Sequence, residues 1–365
     1  MPSNVYYMPI SSPTDTGIVQ EISRQLLQTV VERENVSLRS RVPLKVHFGE
    51  QKNVTFIRPE NYLGVIDFLR DRNIESCFME TCVLYGGQRY KKELHEQTAR
   101  KHGFTQLPII FADGEHGEEY AEVEINQKHF TTFKVGRAFL DYDQIIVISH
   151  FKGHMLAGFG GAIKQLSMGY AAKGGKLAMH MGEKPRIVNR KCTRCRRCLD
   201  RCNENALCIP DREDRKAKAR IDMNRCVGCG ACVAVCPAEA VSLFTVKSVA
   251  RFVGIGNPFI EKLVEGAFAA GNGKDNVYLN FAMNITPGCD CEARKMKVLM
   301  PDIGIFASTD PVAIDKACYD MVKARGKKFR GYKTFALAEK TGLGSSHYRL
   351  HEIPLNGADR AATGS

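Results

Sequence analysis

Two hydrophobic periods alternate along this chain. Ile18, Ile22, Leu26 and Val30 recur at helical spacing, behind Thr14, Asp15 and Thr16 as N-cap choices. Residues 1–13 carry no clear period and read as irregular. The segment 42–48 reads as a strand closed by Gly49, and Pro59 opens a helix with Leu63, Ile66 and Leu69 on its apolar face. A strand at 77–82, a turn at 85–87, a helix at 91–102 and a strand at 108–111 follow. Residues 120–125 alternate strictly, predicting one arm of a hairpin through Asn126 and Gln127. Residues 144–149 are apolar almost throughout, the pattern of a strand buried on both faces. Later come a helix in two pieces at 248–270, strands at 277–285 and 303–307, and a helix at 311–325. Residues 357–365 are small and polar, and are expected to fray. Strands and helices joined by short connections predict an α/β fold, a mostly parallel sheet flanked by helices.

The pattern breaks between 185 and 245. There the sequence reads Cys192-x-x-Cys195-x-x-Cys198-x-x-x-Cys202, then Cys226-x-x-Cys229-x-x-Cys232-x-x-x-Cys236-Pro237. A shift of 34 residues lays each cysteine of the first run on one of the second. Three thiolates at x-x spacing curl around one [4Fe-4S] cubane, while the fourth is carried off to the neighbouring one. The spacing therefore assigns Cys192, Cys195, Cys198 and Cys236 to one cluster. It assigns Cys226, Cys229, Cys232 and Cys202 to the other. Structural zinc sites use paired Cys-x-x-Cys or Cys/His sets, which these runs are not. Cys202 is followed by Asn203 where the second run has proline, a difference in turn shape and not in ligands. The expected organisation is thus an α/β domain in two parts, 1–184 and 246–365. An inserted α+β di-cluster module, ferredoxin-like, occupies 185–245.

Composition narrows the class. The chain has 365 residues, 44% hydrophobic and 25% charged, the balance of a globular protein. No apolar run approaches the ~20 residues that span a bilayer, and the start carries no secretory pattern, so the expected place is the cytoplasm. Fourteen cysteines in that setting point to thiolate–metal chemistry, not disulfides. The formal charge of +12 is concentrated, with 14 Lys/Arg against 6 Asp/Glu between residues 184 and 225. Such a patch offsets cluster thiolates and also suits an acidic redox partner protein. It lacks the interleaved aromatics that stack bases, which disfavours nucleic acid.

Outside the cysteine runs, Ser149-His150-Phe151-Lys152-Gly153-His154 continues to Gly158-Phe159-Gly160-Gly161 and Lys164. It begins where an apolar strand ends, the usual ligand edge of an open α/β sheet. A glycine-rich turn entering a helix offers unpaired N–H groups. Gly158, Gly160 and Gly161 with Lys152 and Lys164 therefore suggest an anionic small molecule; the other reading is close helix–strand packing. His150 and His154, four apart, would share a face if helical, to bind a metal or transfer protons. Cys289-Asp290-Cys291 follows Pro287-Gly288. It offers metal ligands, redox or nucleophilic thiols, or plain buried cysteines. Asp310 before Pro311 reads as a helix N-cap, and Asp302 and Asp315 as acid/base or cation groups.

These motifs carry two resemblances. Residues from about 185 to 245 resemble a bacterial-type ferredoxin with two [4Fe-4S] clusters. The remainder resembles the family called domain of unknown function 362. The residues are Val46-His47-Phe48-Gly49-Glu50, Glu80-Thr81, Tyr85 with Arg89, Ala112-Asp113-Gly114, the 149–164 segment, Cys289-Asp290-Cys291, and Asp302 to Asp315. The resemblance implies cluster binding and one shared site at these motifs. The expected function is electron transfer through two clusters to a redox site in the α/β domain; a pure carrier or assembly partner is the alternative.

Overall fold

The computed structural model describes residues 2–10, 15–180, 184–202, 204–211, 213–214, 216–226, 228, 230–242 and 258–355. Its centre is a sheet of eight strands. In chain order these are β1 (Ser3–Pro9), β2 (Leu44–Lys45), β3 (Phe78–Glu80), β4 (Ile109–Phe111), β5 (Ile146–His150), β6 (Val277–Ala282), β7 (Gly304–Ser308) and β8 (Tyr348–Glu352). They lie side by side as β8-β1-β7-β6-β5-β2-β3-β4. Every pairing is parallel except the two that β7 makes with β1 and β6. The expected mostly parallel α/β sheet is what the chain forms.

The helices are α1 (Thr16–Arg33), α2 (Leu63–Arg70), α3 (Lys92–Lys101), α4 (Ala162–Tyr170), α5 (Lys173–His180), α6 (Phe259–Gly271), α7 (Pro311–Ala324) and α8 (Lys333–Lys340). Asp15 caps α1 by accepting from the N–H groups of Gly17 and Ile18, and Asp310 caps α7 through Val312 and Ala313. One apolar layer joins Ile22, Leu26 and Val30 of α1 to Ile146, Ile148 and Leu279 of the sheet. A second joins Ile163 and Leu166 of α4 to Val147 and Phe306. β5 and β6 are buried along their whole length, so the sheet is covered on both faces.

Several expectations shift. Residues 3–9, read as irregular, form a strand whose Val5, Tyr6, Tyr7 and Met8 are buried. Their burial on both sides erases the alternation a period search needs. The hairpin from Tyr120–Glu124 returns at Thr132–Gly136, so its turn is longer than Asn126-Gln127. The strand expected over 42–48 keeps ladder pairing only at Leu44–Lys45. The first piece of the 248–270 helix and the 357–365 tail lie outside the described residues.

The elements between Arg186 and Ser242 pair only among themselves. Arg186–Ile187 pairs with Val241–Ser242, and Leu207–Cys208 with Arg220–Ile221. Short helices occupy Arg197–Asp200 and Ala231–Ala234, again 34 residues apart. The backbone repeats at the same shift. Arg194 and Gly228 have φ of 60° and 70°, Arg196 and Gly230 65° and 76°, Asn205 and Glu239 47° and 48°. On either side of this segment, the rings of His180 and Phe259 lie 4.9 Å apart. Leu177 packs against Leu84 and Val233, and Arg201 pairs with Glu118 at 2.6 Å.

Candidate functional site

The parallel strands β2, β3 and β5 end at one edge, and the turn after β6 folds over it. Residue pattern explains the convergence. β5 runs without a break into His150, then a hairpin pairs Lys152–His154 with Gly158–Gly160 before α4 begins. His150 and His154 therefore sit on successive strands, not on one helical face. Gly153 is held against the Pro287 carbonyl: a Cβ there would lie 2.4 Å from that oxygen. This close approach brings the hairpin onto the 287–291 turn.

His150 Nδ1 lies 2.9 Å from one Asp290 oxygen, and Nε2 lies 2.8 Å from the Met283 carbonyl. Lys152 Nζ reaches Asp290 at 2.7 Å. Burial alone would raise the Asp290 carboxyl, but His150 and Lys152 outweigh it and hold the group well below the usual range. Asp290 is thus a buried anion fixed by two partners. It anchors the turn and leaves the cysteines on either side to face elsewhere.

Cys289 faces Lys164, whose Nζ is 3.3 Å from its sulfur. The Cys289 and Cys291 sulfurs and one ring nitrogen of His154 lie within 4.8 Å of one another. A hydrogen bond from the Cys291 thiol, against the opposing effect of burial and with help from Lys164 and His154, holds Cys289 well below the usual thiol range. The same bond pushes Cys291 well above it. Burial would lower Lys164, yet the two cysteines more than offset this and its ammonium is favoured. His154 Nδ1 accepts from the N–H groups of Leu156 and Ala157 at 3.2 and 3.0 Å. Burial, then Lys164, lowers the His154 imidazole below its ordinary value.

A second layer lies behind. Arg89 donates to Glu50 at 3.2 Å and to the Tyr85 hydroxyl at 2.7 Å. It also stands 3.8 Å from Glu80, which pairs with Lys45 at 2.6 Å. The Tyr85 hydroxyl donates to the Cys291 carbonyl at 3.0 Å, and the Glu50 N–H to the Asp290 carbonyl at 2.9 Å. Burial, opposed by Glu80, brings Lys45 down to about 8. His47, part of the Val46–Glu50 motif, joins this layer through Arg89 at 3.0 Å.

At the glycine-rich helix entry the first N–H groups are already occupied. Asp315 already takes the N–H groups of Ala162 and Ile163 at 2.7 and 2.9 Å, and Asn280 donates to it at 2.7 Å. A Cβ on Gly161 would lie 2.2 Å from Asp315, and one on Gly158 2.3 Å from the Arg330 carbonyl. Gly160 lies over the stems of Lys152 and Lys164. These glycines pack the α4 entry tightly. Asp302 accepts from the Asn284 N–H at 2.7 Å.

In the cysteine segment, Cys192, Cys195, Cys198 and Cys236 line one cavity, walled by Ile187, Leu199, Ile209, Ala219 and Val241. The fourth cysteine of each run accepts from the amide four residues on: Ala206 to Cys202 and Ala240 to Cys236, both 3.2 Å. Cys226 and Cys232 belong to the second half; Cys229 lies outside the described residues. Four convergent thiols in an apolar pocket fit a thiolate-held iron–sulfur group. A groove lined by Lys91, His116, Arg197, Arg201 and Cys236 opens beside it.

The profile of a family described as "Domain of unknown function (DUF362)" matches residues 42–320. This chain belongs to the DUF362 family. A stretch of 59 residues is also similar to a curated protein. Pyruvate synthase subunit PorD of Methanocaldococcus jannaschii is 34% identical over 59 residues, 16% of this chain and 64% of that subunit. Two solved structures overlap distantly with this DUF362 chain. One is a Thermotoga maritima protein, with TM-score 0.40 and 11% identity over 92% of this chain and 61% of that one. The other is the lactate racemase apoprotein of Thermoanaerobacterium thermosaccharolyticum, with TM-score 0.41 and 11% identity over 88% and 57%. No described helix of the DUF362 chain is long and apolar enough to cross a membrane.

Proposed function

We propose that this protein is an iron–sulfur electron-transfer protein. It holds two [4Fe-4S] clusters and passes electrons to the Cys289 site of its α/β part. The observation that carries the reading is the shared cavity of Cys192, Cys195, Cys198 and Cys236. A ligand from the second run completes the first set, the exchange that two-cluster ferredoxin runs make. Bound clusters supply one-electron redox chemistry. The chain's own residues set its surroundings: the Ala240 and Ala206 amides donate to sulfur, and apolar walls line the pocket. Anaerobic reconstitution with iron and sulfide tests this. About eight iron atoms per chain are expected, and fewer than about seven would sink it.

At the receiving end the chemistry belongs to a thiolate, since Asp315 fills the helix start that an anion would need. Cys289 is the group that changes, Lys164 holds its charge and His154 moves a proton. An anionic substrate would meet Lys164 and His154, and Met155 next to His154 in sequence is 73% exposed. The relative named as a pyruvate synthase subunit supports a protein partner as the electron source. Exposed Arg196 and Arg197 beside Cys195 suit an acidic one. Transfer from such a partner should slow as salt is added, and a rate indifferent to salt removes this docking face.

A further inference from the structure

We propose that Cys289 and Cys291 form a dithiol–disulfide couple that relays electrons in pairs to a disulfide substrate. Two observations place the two sulfurs for this. The Glu292 N–H donates to the Cys289 carbonyl at 2.9 Å, closing a turn over 289–292. Such a turn draws residues i and i+2 toward the roughly 4.4–6.8 Å Cα separation a disulfide requires. The sulfurs themselves already share the 4.8 Å cluster with His154.

The donors around the pair decide against the other use of a Cys-x-Cys turn, a metal site. A metal-bound histidine gives its second ring N–H to an acceptor. At His154 the arrangement is reversed. Two backbone N–H groups point at Nδ1, which assigns the ring proton to Nε2. That nitrogen would have to shed its proton to bind a metal. As assigned, it carries the proton toward Cys289. With Lys164 Nζ at 3.3 Å, Cys289 sits among donors, the setting of a reactive thiolate and not of a fourth-coordinate metal.

The cycle balances. The closed disulfide takes two electrons, one from each cluster, and one proton, giving Cys289 as thiolate and Cys291 as thiol. Cys291 is the less buried residue of the two. It hands its proton to Cys289 and attacks one sulfur of the substrate disulfide, expelling the other as a thiolate that takes a proton. Cys289 then gives its proton to the second leaving sulfur and attacks Cys291. The internal disulfide closes, and two substrate thiols have formed. In sum, two electrons from the clusters and two protons from solvent convert one substrate disulfide into two thiols.

This rests on the proposed cluster reading only for its electron source. The test uses reconstituted full-length protein, anaerobically, with a small aromatic disulfide as probe. Trypsin cuts after Lys274 and Arg294, giving a 275–294 peptide whose only cysteines are Cys289 and Cys291. After probe, acid quench and alkylation, that peptide should be lighter by two hydrogens and unalkylated. After reduction of the clusters it should take two alkyl groups. Cys289→Ser should instead hold the probe on Cys291 as a mixed disulfide, with iron content unchanged as the check on folding. An open peptide at every stage overturns the couple. So does stoichiometric zinc lost in Cys289→Ser, or a closed peptide that dithiothreitol opens but reduced clusters do not. Low iron with a closing peptide would count against the cluster reading alone, because closure needs only the two thiols and the probe.

Discussion

Nδ1 of His150 stands 2.9 Å from an Asp290 carboxylate oxygen, although 140 residues separate the two in sequence. The contact joins the end of a central strand to the turn that carries Cys289 and Cys291. Lys152 closes the same carboxylate from the other side at 2.7 Å. Asp290→Asn leaves two donors facing a neutral amide in a buried place. We expect a loss of about 3–5 kcal/mol, read from denaturant midpoints. The direction with pH follows from the depressed carboxyl. Its stability contribution is present above the ordinary carboxylate value and is lost as pH falls through the folded one. The difference between wild type and variant should therefore shrink in strong acid. A difference that grows there would contradict the assignment.

Asp315 moves the opposite way. Burial raises it to about 6, despite the N–H groups of Ile163 and Ala162 and the amide of Asn280. A raised carboxyl contributes stability fully present below the unfolded value of about 4 and lost as pH climbs through about 6. Asp315→Asn cannot titrate. Wild-type stability relative to this variant should decline between about pH 4 and pH 6 and then level off. Thermal melts across that range decide the matter; a flat difference shows the carboxyl is not shifted.

The crossed cysteine sets make a sharp genetic prediction. Cys198→Ser and Cys236→Ser should remove the same cluster signal, although they lie in different runs. Cys202→Ser should remove the other one. Each loses about four of about eight irons. Anaerobic iron analysis with electron paramagnetic resonance reads both quantities, and a signal shared by Cys198 and Cys202 instead would refute the crossing.

Gly158 tests the hairpin. Its φ of +85° disfavours any side chain, and a Cβ would stand 2.3 Å from the Arg330 carbonyl. The conformational cost is about 1–2 kcal/mol and the overpacking about 1–3 kcal/mol. Gly273 has a comparable φ of +73° with open space around it. Gly158→Ala should therefore melt well below Gly273→Ala, and equal melting temperatures would mean the contact yields freely.

Much of the fold is legible in the residues alone. The α1 and α7 caps at Asp15 and Asp310, the buried β5 and the 34-residue repeat each leave a local mark in sequence. What escapes is long-range. β1 packs between β7 and β8, a placement no local period encodes. Asp315 resembles an acid/base group because nothing near it in sequence reveals that α4 starts against it. His150 and His154 suggest one helical face because spacing is silent on the bend at Phe151. The αL backbone of Arg194 and Arg196 is visible only by laying them on Gly228 and Gly230.

The contact between His180 and Phe259 has a meaning for the history of such chains. A detour that departs and comes back at one spot can be swapped without disturbing which strands are neighbours. The cysteine-bearing part and the sheet can then vary on separate schedules, provided the Arg201–Glu118 pair between them is kept.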